Sequence, residues 1–157
     1  MRVWRLARHP YAEPPERAFD GDGAARNGQR WNARRVRAAY ASATLSLAAL
    51  EFLGTLVDLD DAPADLVSVW AEFDEEVVET VDADTVPGWD ATPPYASVRF
   101  GTEWAHQRRS VVLSVPSVVI RSERNFVLNP EHPDYEPAVR IGEVQPFAFD
   151  RRLLRRR

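Results

Sequence analysis

The most regular apolar pattern in the chain covers residues 44–56 and predicts its main helix. Apolar side chains recur there at helical spacing along one face. These positions are Leu45, Ala48, Ala49, Phe52, Leu53 and Leu56. Leu47 and Leu50 cover much of the opposite flank, so the helix is apolar nearly all round and is expected to be buried. Ser42 or Thr44 is expected to be its N-cap.

One carboxylate interrupts this apolar surface. Glu51 is the only ionisable side chain between Tyr40 and Asp58. An ionised carboxylate is costly to bury unless it is paired or hydrogen-bonded, so we expect Glu51 to face a polar cleft. Arg30, in the turn-like segment 28–32, is the cationic candidate upstream. We interpret Arg30, Tyr40 and Glu51 as one site, and a salt-bridged structural carboxylate is the alternative for Glu51.

Alternating and β-branched segments predict the strands of a sheet. We expect strands over residues 3–7, 30–32, 66–73, 75–81, 111–120, 124–128, 140–144 and 147–149. Pro116 interrupts one of these segments and predicts an edge, bulge or corner there. A second helix is expected over residues 97–107, with Trp104 as its anchor. Residues 37–42 are expected to lead into the main helix.

The order of these elements predicts the class of fold. Strands and helices are mixed without regular alternation, which favours an α+β fold with a compact mixed sheet and a few helices. Residues 9–27 and 82–94 are rich in turn-forming residues and are expected to be loops. A chain of 157 residues fits one domain, so we expect a single domain over residues 1–157 with a flexible basic tail at 151–157.

Composition excludes several classes of function. A formal net charge of −4 provides no basic field for nucleic acid, and no apolar run has the length of a signal peptide or a membrane span. Without cysteine, the chain has neither a thiolate nucleophile nor a thiolate metal site. The three histidines are scattered without metal-ligand spacing. We expect a cytoplasmic protein that binds no metal, no membrane and no nucleic acid directly.

Several short motifs follow one another in a specific order. Gly-x-Arg-Trp-Asn occupies residues 28–32, Tyr40 precedes a serine and threonine segment, and the helical SLAALE ends in Glu51. VPS occupies residues 115–117 and NFVLNPEHPDY occupies residues 125–135. From VWRLAR at the start to PFAFD near the end, the chain resembles the RES-domain family, named for its Arg, Glu and Ser. The ordered set is far more specific than any one motif.

The resemblance implies a fold similar to that of ADP-ribosyltransferases, and a bacterial toxin that consumes NAD. The reaction it implies is cleavage of the nicotinamide–ribose bond. The acceptor is inorganic phosphate in an NAD phosphorylase and water in an NAD glycohydrolase. NAD is then a substrate, and no prosthetic group is implied. The implied partner is an antitoxin with an Xre-like DNA-binding part, whose C-terminal segment blocks the active site.

The residue types in two of the motifs suit this chemistry. Nicotinamide departs neutral, so the reaction needs no strong acid, but positive charge develops on the ribose. The Glu51 carboxylate can stabilise that charge or hydrogen-bond the sugar hydroxyls. Arg30 can hold the pyrophosphate or an incoming phosphate with its forked guanidinium. Trp31 joins Arg30 as an expected NAD-contacting residue of the same motif.

The remaining motifs supply the other candidates. The Tyr40 ring can stack on nicotinamide while its hydroxyl fixes orientation. Ser117 can bond a ribose or phosphate, or orient the glutamate. Ser114 and Ser122 are rival serines nearby. Asn129, in Leu-Asn-Pro, is a weaker cleft candidate.

Two other functional hypotheses stay open. The same fold could transfer ADP-ribose to a protein target. Alternatively, the chain could be a non-catalytic interaction module, for which the support is the tail RRLLRRR and the absence of a metal or nucleophile motif.

Overall fold

A mixed sheet forms the framework of the protein. The computed structural model describes residues 1–58 and 61–154. In these ranges the strands are β1 (Arg2–Arg8), β2 (Ala39–Ser42), β3 (Leu66–Glu72), β4 (Val78–Thr80), β5 (Val112–Pro116), β6 (Arg124–Leu128), β7 (Arg140–Ile141) and β8 (Gln145–Pro146). Their order across the sheet is β4-β5-β6-β2-β1-β3-β7, and β8 also pairs with β3. All pairs are antiparallel except β4 with β5. The predicted α+β class is therefore confirmed.

Five α-helices and several short 3₁₀ turns surround this sheet in the described residues. The helices are α1 (Asp22–Asn27), α2 (Leu45–Leu53), α3 (Tyr95–His106), α4 (Tyr135–Ala138) and α5 (Arg151–Leu154). Thr44 is the N-cap of α2, because its hydroxyl accepts the backbone N–H of Leu47 at 3.0 Å. None of the described helices is both long and apolar enough to cross a membrane.

Some predicted boundaries were wrong. The main helix ends at Leu53, with Gly54 as its C-cap, three residues before the predicted end. Residues 30–32 form a tight turn with an isolated bridge between Gln29 and Asn32, not a strand. Residues 39–42 are strand β2, because they find partners on β6 that no local pattern reveals.

Two other segments also differ from the prediction. Residues 9–27 contain α1 and the 3₁₀ helices His9–Tyr11 and Pro15–Phe19, where loop was expected. The last predicted strand, at 147–149, lies instead at Gln145–Pro146. Of the predicted flexible tail, residues 151–154 are helical and residues 155–157 lie outside the described residues.

The sheet is buried on both faces where β5 and β6 meet. Alternate residues of these strands belong to different apolar clusters. Val112, Phe126 and Leu128 join one cluster. The intervening Leu113, Val115 and Val127 join the other, which also contains Trp31, Trp89 and Trp104. This region therefore provides a rigid base for the residues that follow β5.

The sheet is open between β1 and β2. Along the described residues, β1 pairs with β3 over its whole length but with β2 only at Trp4 and Ser42. The two strands therefore diverge beyond that pair. Arg5 bridges the gap, since its guanidinium Nη1 donates to the backbone oxygen of Tyr40 at 2.7 Å.

Helix α3 presses closely against the turn that contains Trp31. A Cβ atom added at Gly101 would lie 2.0 Å from the carbonyl oxygen of Trp31. The Trp31 ring stacks on Trp89 at 6.5 Å between centroids and meets Phe100 edge-on at 6.3 Å. The missing side chain at Gly101 therefore lets helix and turn share one aromatic cluster.

We predict that Gly101→Ala destabilises the protein by about 1–3 kcal/mol, because the added methyl group meets backbone that cannot rotate away. Urea unfolding would measure the change. Gly23→Ala in α1 is the matched control, since no atom lies within 4 Å of its added Cβ, and it should cost nothing. Equal stability of the two variants would contradict the close approach.

Candidate active site

Two cavities share six lining residues, which are Asn27, Gln29, Tyr40, Glu51, Thr55 and Asn125. The first cavity, of about 540 Å³, opens where β1 and β2 diverge and is also lined by Arg5. The second cavity, of about 960 Å³, is also lined by Arg30. Both volumes fall in the range of small-molecule sites. The predicted polar cleft beside the glutamate is therefore present.

The Glu51 carboxylate is held through one of its two oxygens. The Ser117 hydroxyl donates to Oε1 at 2.6 Å, and the Asn125 side-chain amide donates to the same atom. Neither bond uses Oε2. The helix supplies the carboxylate, and two elements of the sheet region supply its donors. Both hydrogen bonds therefore restrain the carboxylate at Oε1.

Ser117 is placed to orient the glutamate. It is fully buried just after β5 ends at Pro116. Its Oγ accepts the backbone N–H groups of Val119 at 3.1 Å and Ile120 at 3.0 Å. Since two N–H groups already point at Oγ, the hydroxyl hydrogen is directed at the carboxylate. The rival Ser114 instead accepts a hydrogen bond from Arg124.

Tyr40 lines both cavities and uses its hydroxyl inside the protein. The hydroxyl accepts the backbone N–H of Trp31 at 3.0 Å and donates to Oδ1 of Asn32 at 2.8 Å. Burial raises the pKa of the Tyr40 phenol well above its ordinary value. Tyr40 is therefore a neutral group, and its ring is the part that a ligand can contact.

Arg30 holds a loop beside the second cavity. Its Nη1 donates to the backbone oxygens of Trp89 at 3.1 Å and Ala91 at 3.0 Å. The structure thus places Arg30 in the same cavity as Tyr40 and Glu51, although its contacts go to the loop and not to the carboxylate. A guanidinium carries five N–H donors. In the described hydrogen bonds of Arg30, only those on Nη1 are used.

The other two predicted residues have different surroundings. Trp31 lines the second cavity, although its residue is nearly completely buried and its ring belongs to the aromatic cluster with Trp89. Asn129 lines neither cavity. Its amide donates to the backbone oxygen of Ala105 at 3.1 Å, and its Oδ1 accepts the N–H of Glu131 at 3.1 Å. Asn129 therefore connects the end of β6 to α3.

Sequence reasoning missed Arg5. Among the side-chain nitrogen and oxygen atoms of the described residues, Nε of Arg5 is buried and has no hydrogen-bond partner. A buried polar atom of this kind calls for an explanation. Desolvation by burial lowers the pKa of the Arg5 guanidinium. Its signal was an arginine in the middle of strand β1, between apolar residues, but the gap beside Tyr40 depends on strand pairing that local patterns do not show.

Asn125 was also missed. It stands at the start of a quoted motif, but its proximity to Glu51 arises from contact between residues 74 positions apart. The described residues contain no group of three or more His, Asp or Glu side chains that could hold a metal ion.

The family model of the RES domain matches residues 2–150. The chain belongs to the RES-domain family. The predicted resemblance is thus confirmed, and Arg30, Glu51 and Ser117, the residues quoted for it, all lie at or immediately beside the cavities.

Curated relatives of this RES-domain protein are toxins. The "Prs ADP-ribosylating toxin" of Sphingobium sp. (strain YBL2) is 34% identical over 160 residues, which cover 98% of this chain and 96% of the relative. The "Toxin Res" of Photorhabdus laumondii is 32% identical over 157 residues, covering 99% and 98%. The whole length of each relative is thus represented.

A solved structure shares the fold. A chain in the crystal structure of the M. tuberculosis MbcT–MbcA toxin–antitoxin complex superposes with a TM-score of 0.61. The match covers 93% of this RES-domain chain and 83% of that chain, at 16% identity. At that identity the likeness concerns the fold alone.

We predict that Tyr40 makes the protein sensitive to alkali. The pKa of Tyr40 is higher in the folded protein than in the unfolded chain, where a tyrosine has a pKa of about 10. The stabilisation by neutral Tyr40 is complete below that pH and is lost as the pH rises above it. Unfolding free energies measured from pH 8 to 11 should therefore fall less steeply for Tyr40→Phe.

Tyr135 provides a second variant for this measurement, because burial also raises the pKa of its phenol. Tyr135→Phe should flatten the slope as well, and the double variant should flatten it further. Identical slopes for wild type and the double variant would contradict the assignment.

Proposed function

We propose that this RES-domain protein is an NAD-consuming toxin that cleaves the nicotinamide–ribose bond. Inorganic phosphate or water is the proposed acceptor. The observation that carries the proposal is the Glu51 carboxylate, which belongs to the lining of both cavities and accepts two hydrogen bonds at Oε1. A fixed negative group at that point suits a reaction in which positive charge develops on a sugar.

The proposed reaction breaks one bond at ribose C1′ and forms another. The bond between ribose C1′ and the nicotinamide nitrogen breaks, and its electron pair goes to the pyridinium ring, which departs neutral. Oε2 of Glu51 stabilises the resulting charge on the ribosyl group. An oxygen of phosphate then bonds to C1′, or an oxygen of water does so and releases a proton. The products are nicotinamide with phosphorylated ADP-ribose, or nicotinamide with ADP-ribose.

We place NAD in the first cavity. Arg5, Arg17 and Arg26 line it and provide positive charge for a diphosphate. The Tyr40 ring then faces the nicotinamide end. Arg30 borders the second cavity, where its remaining donors suit an incoming phosphate.

The family membership supports a wider set of proposals. We infer that the whole chain, residues 1–157, acts as a single domain. We also infer an Xre-like antitoxin that blocks these cavities, since the solved structure sharing the fold is a toxin–antitoxin complex. Because NAD is an intracellular metabolite, the proposed site of action is the cytoplasm.

Transfer of ADP-ribose to a protein is the second candidate. Two features of the second cavity favour this candidate. The second cavity is larger than the first, and its rim exposes apolar side chains. Tyr95 is 79% exposed and Val119 is 43% exposed. Such a rim suits contact with another protein. A relative named for ADP-ribosylation of Prs points the same way.

The first test is a product assay with purified protein and NAD, with and without inorganic phosphate. We expect nicotinamide release, with products identified by mass. Glu51→Gln should lower kcat by roughly 10²–10³-fold, because the charge opposite the ribose is lost. Arg30→Ala should lower phosphate-dependent turnover by roughly tenfold or more.

The matched control is Glu76→Gln, which neutralises an exposed carboxylate on the 3₁₀ helix Glu75–Val77. It should turn over NAD like the wild type. Label from NAD that appears on added protein, and not in small molecules, would favour the second candidate. Wild-type protein that leaves NAD intact in every condition would overturn the enzyme assignment and favour a non-catalytic module.

Arg5 gives a separate prediction about NAD binding. Arg5→Met keeps the length of the side chain but removes a charge whose Nε lacks a partner. The KM for NAD should rise roughly tenfold, because a charged contact is lost. Thermal melting would check that the variant is folded, since the hydrogen bond to the Tyr40 carbonyl is lost as well. Arg2→Met, three residues earlier on β1 and paired with Glu72, is the control. An unchanged KM in Arg5→Met would remove Arg5 from the NAD site.

A further inference from the structure

We propose that Ser42 and Asn125 form a hydrogen-bonded pair that positions Glu51 for catalysis. This inference rests on the proposed function, because it explains how the carboxylate is aimed. Neither residue was among the candidates from sequence. The pair joins strand β2 to strand β6 and ends on the same carboxylate oxygen that Ser117 contacts.

The register of the sheet brings the pair together. Ser42 and Asn125 are direct cross-strand partners of β2 and β6, and Val115 of β5 is the partner of Asn125 on its other side. Ser117 follows two residues after Val115. Strands β2 and β6 and the residue that follows β5 therefore bring Ser42, Asn125 and Ser117 close to Glu51.

The hydrogen bond from Ser42 fixes which way the Asn125 amide points. The Ser42 hydroxyl donates to Oδ1 of Asn125 at 2.7 Å, and Ser42 itself is buried. The amide nitrogen is thereby turned towards Glu51. The opposite orientation would place Oδ1 against Oε1 of the carboxylate, and two acceptors would then repel each other. The pair thus has one stable arrangement.

Two donors restrain the carboxylate more than one can. With Ser117 alone, the carboxylate could turn about a single hydrogen bond. With Asn125 as well, Oε1 is held from two directions, and the freedom of the carboxylate to turn is reduced. Displacements of about 1 Å in such groups can cost roughly 10²-fold in rate.

The role assigned to Asn125 is positioning, so its loss should change kcat more than KM. Arg5 and the rest of the first cavity would bind NAD as before. We expect Asn125→Asp, which places an acceptor where the amide donor was, to lower kcat by roughly 10²-fold. Ser42→Ala frees the amide to rotate and should lower kcat by roughly tenfold. Both should change the KM for NAD by less than about threefold.

A combined variant tests whether the pair acts through the carboxylate. In a Glu51→Gln background, Asn125→Asp should cause no further loss of kcat, because the charge it aims is already absent. Ser68→Ala is the matched control for Ser42→Ala, since Ser68 is also a buried strand serine but lies on β3 outside both cavities. It should keep the wild-type kcat.

A spectroscopic measurement keeps the inference testable without turnover. In wild type the hydrogen bond to Glu51 should shift one of the two Asn125 side-chain NH₂ signals in an NMR spectrum, and both Glu51→Gln and Ser42→Ala should change that shift. Thermal melting would confirm that each variant is folded.

The outcomes separate the two proposals. Equal NAD turnover by wild type and Glu51→Gln would overturn the proposed function. Loss of activity in Glu51→Gln, together with wild-type kcat in folded Asn125→Asp and Ser42→Ala, would overturn the positioning pair alone. Asn125 amide signals that do not respond to Glu51→Gln would also overturn it.

Discussion

The double hydrogen bond to one oxygen of Glu51 is the constraint on which the rest of the site depends. A carboxylate in an otherwise apolar helix is unfavourable unless donors compensate for its lost hydration. Ser117 and Asn125 provide that compensation from different parts of the sheet region. The same bonds that compensate for that lost hydration also restrain the carboxylate, so one set of contacts both stabilises the fold and positions the proposed catalytic group.

Incomplete pairing of β1 with β2 leaves the sheet open beside the first cavity. Full pairing of β1 with β2 would close the gap that holds Arg5 and would remove the first cavity. Pairing at Trp4 and Ser42 alone holds the strands together at one end and lets them separate at the other. Burial on both faces of β5 and β6 supplies the rigidity that the open seam lacks.

Local patterns predicted those features that depend on local chemistry. The apolar run around Glu51 revealed both the helix and the unusual carboxylate, and Pro116 marked the end of β5, after which Ser117 lies. Long-range pairing was not accessible in this way. Strand β2 is only four residues long, and its register with β6 decides that Asn125 faces Glu51.

The contacts of two candidate residues arise from long-range packing. Arg30 shares a cavity with Glu51, but its hydrogen bonds go to the carbonyl groups of Trp89 and Ala91, about 60 positions further along the chain. Asn129 suits a turn as well as a cleft, and the structure uses it to join β6 to α3.

The separation of Glu51 from its donors has a consequence for synthesis of the protein. Ser117 and Asn125 follow Glu51 by 66 and 74 residues. A growing chain therefore carries the glutamate, Tyr40 and Arg5 long before it contains the groups that orient the carboxylate. The order of residues along the chain therefore delays assembly of the site until the segment that contains Ser117 and Asn125 has been synthesised and has left the ribosome.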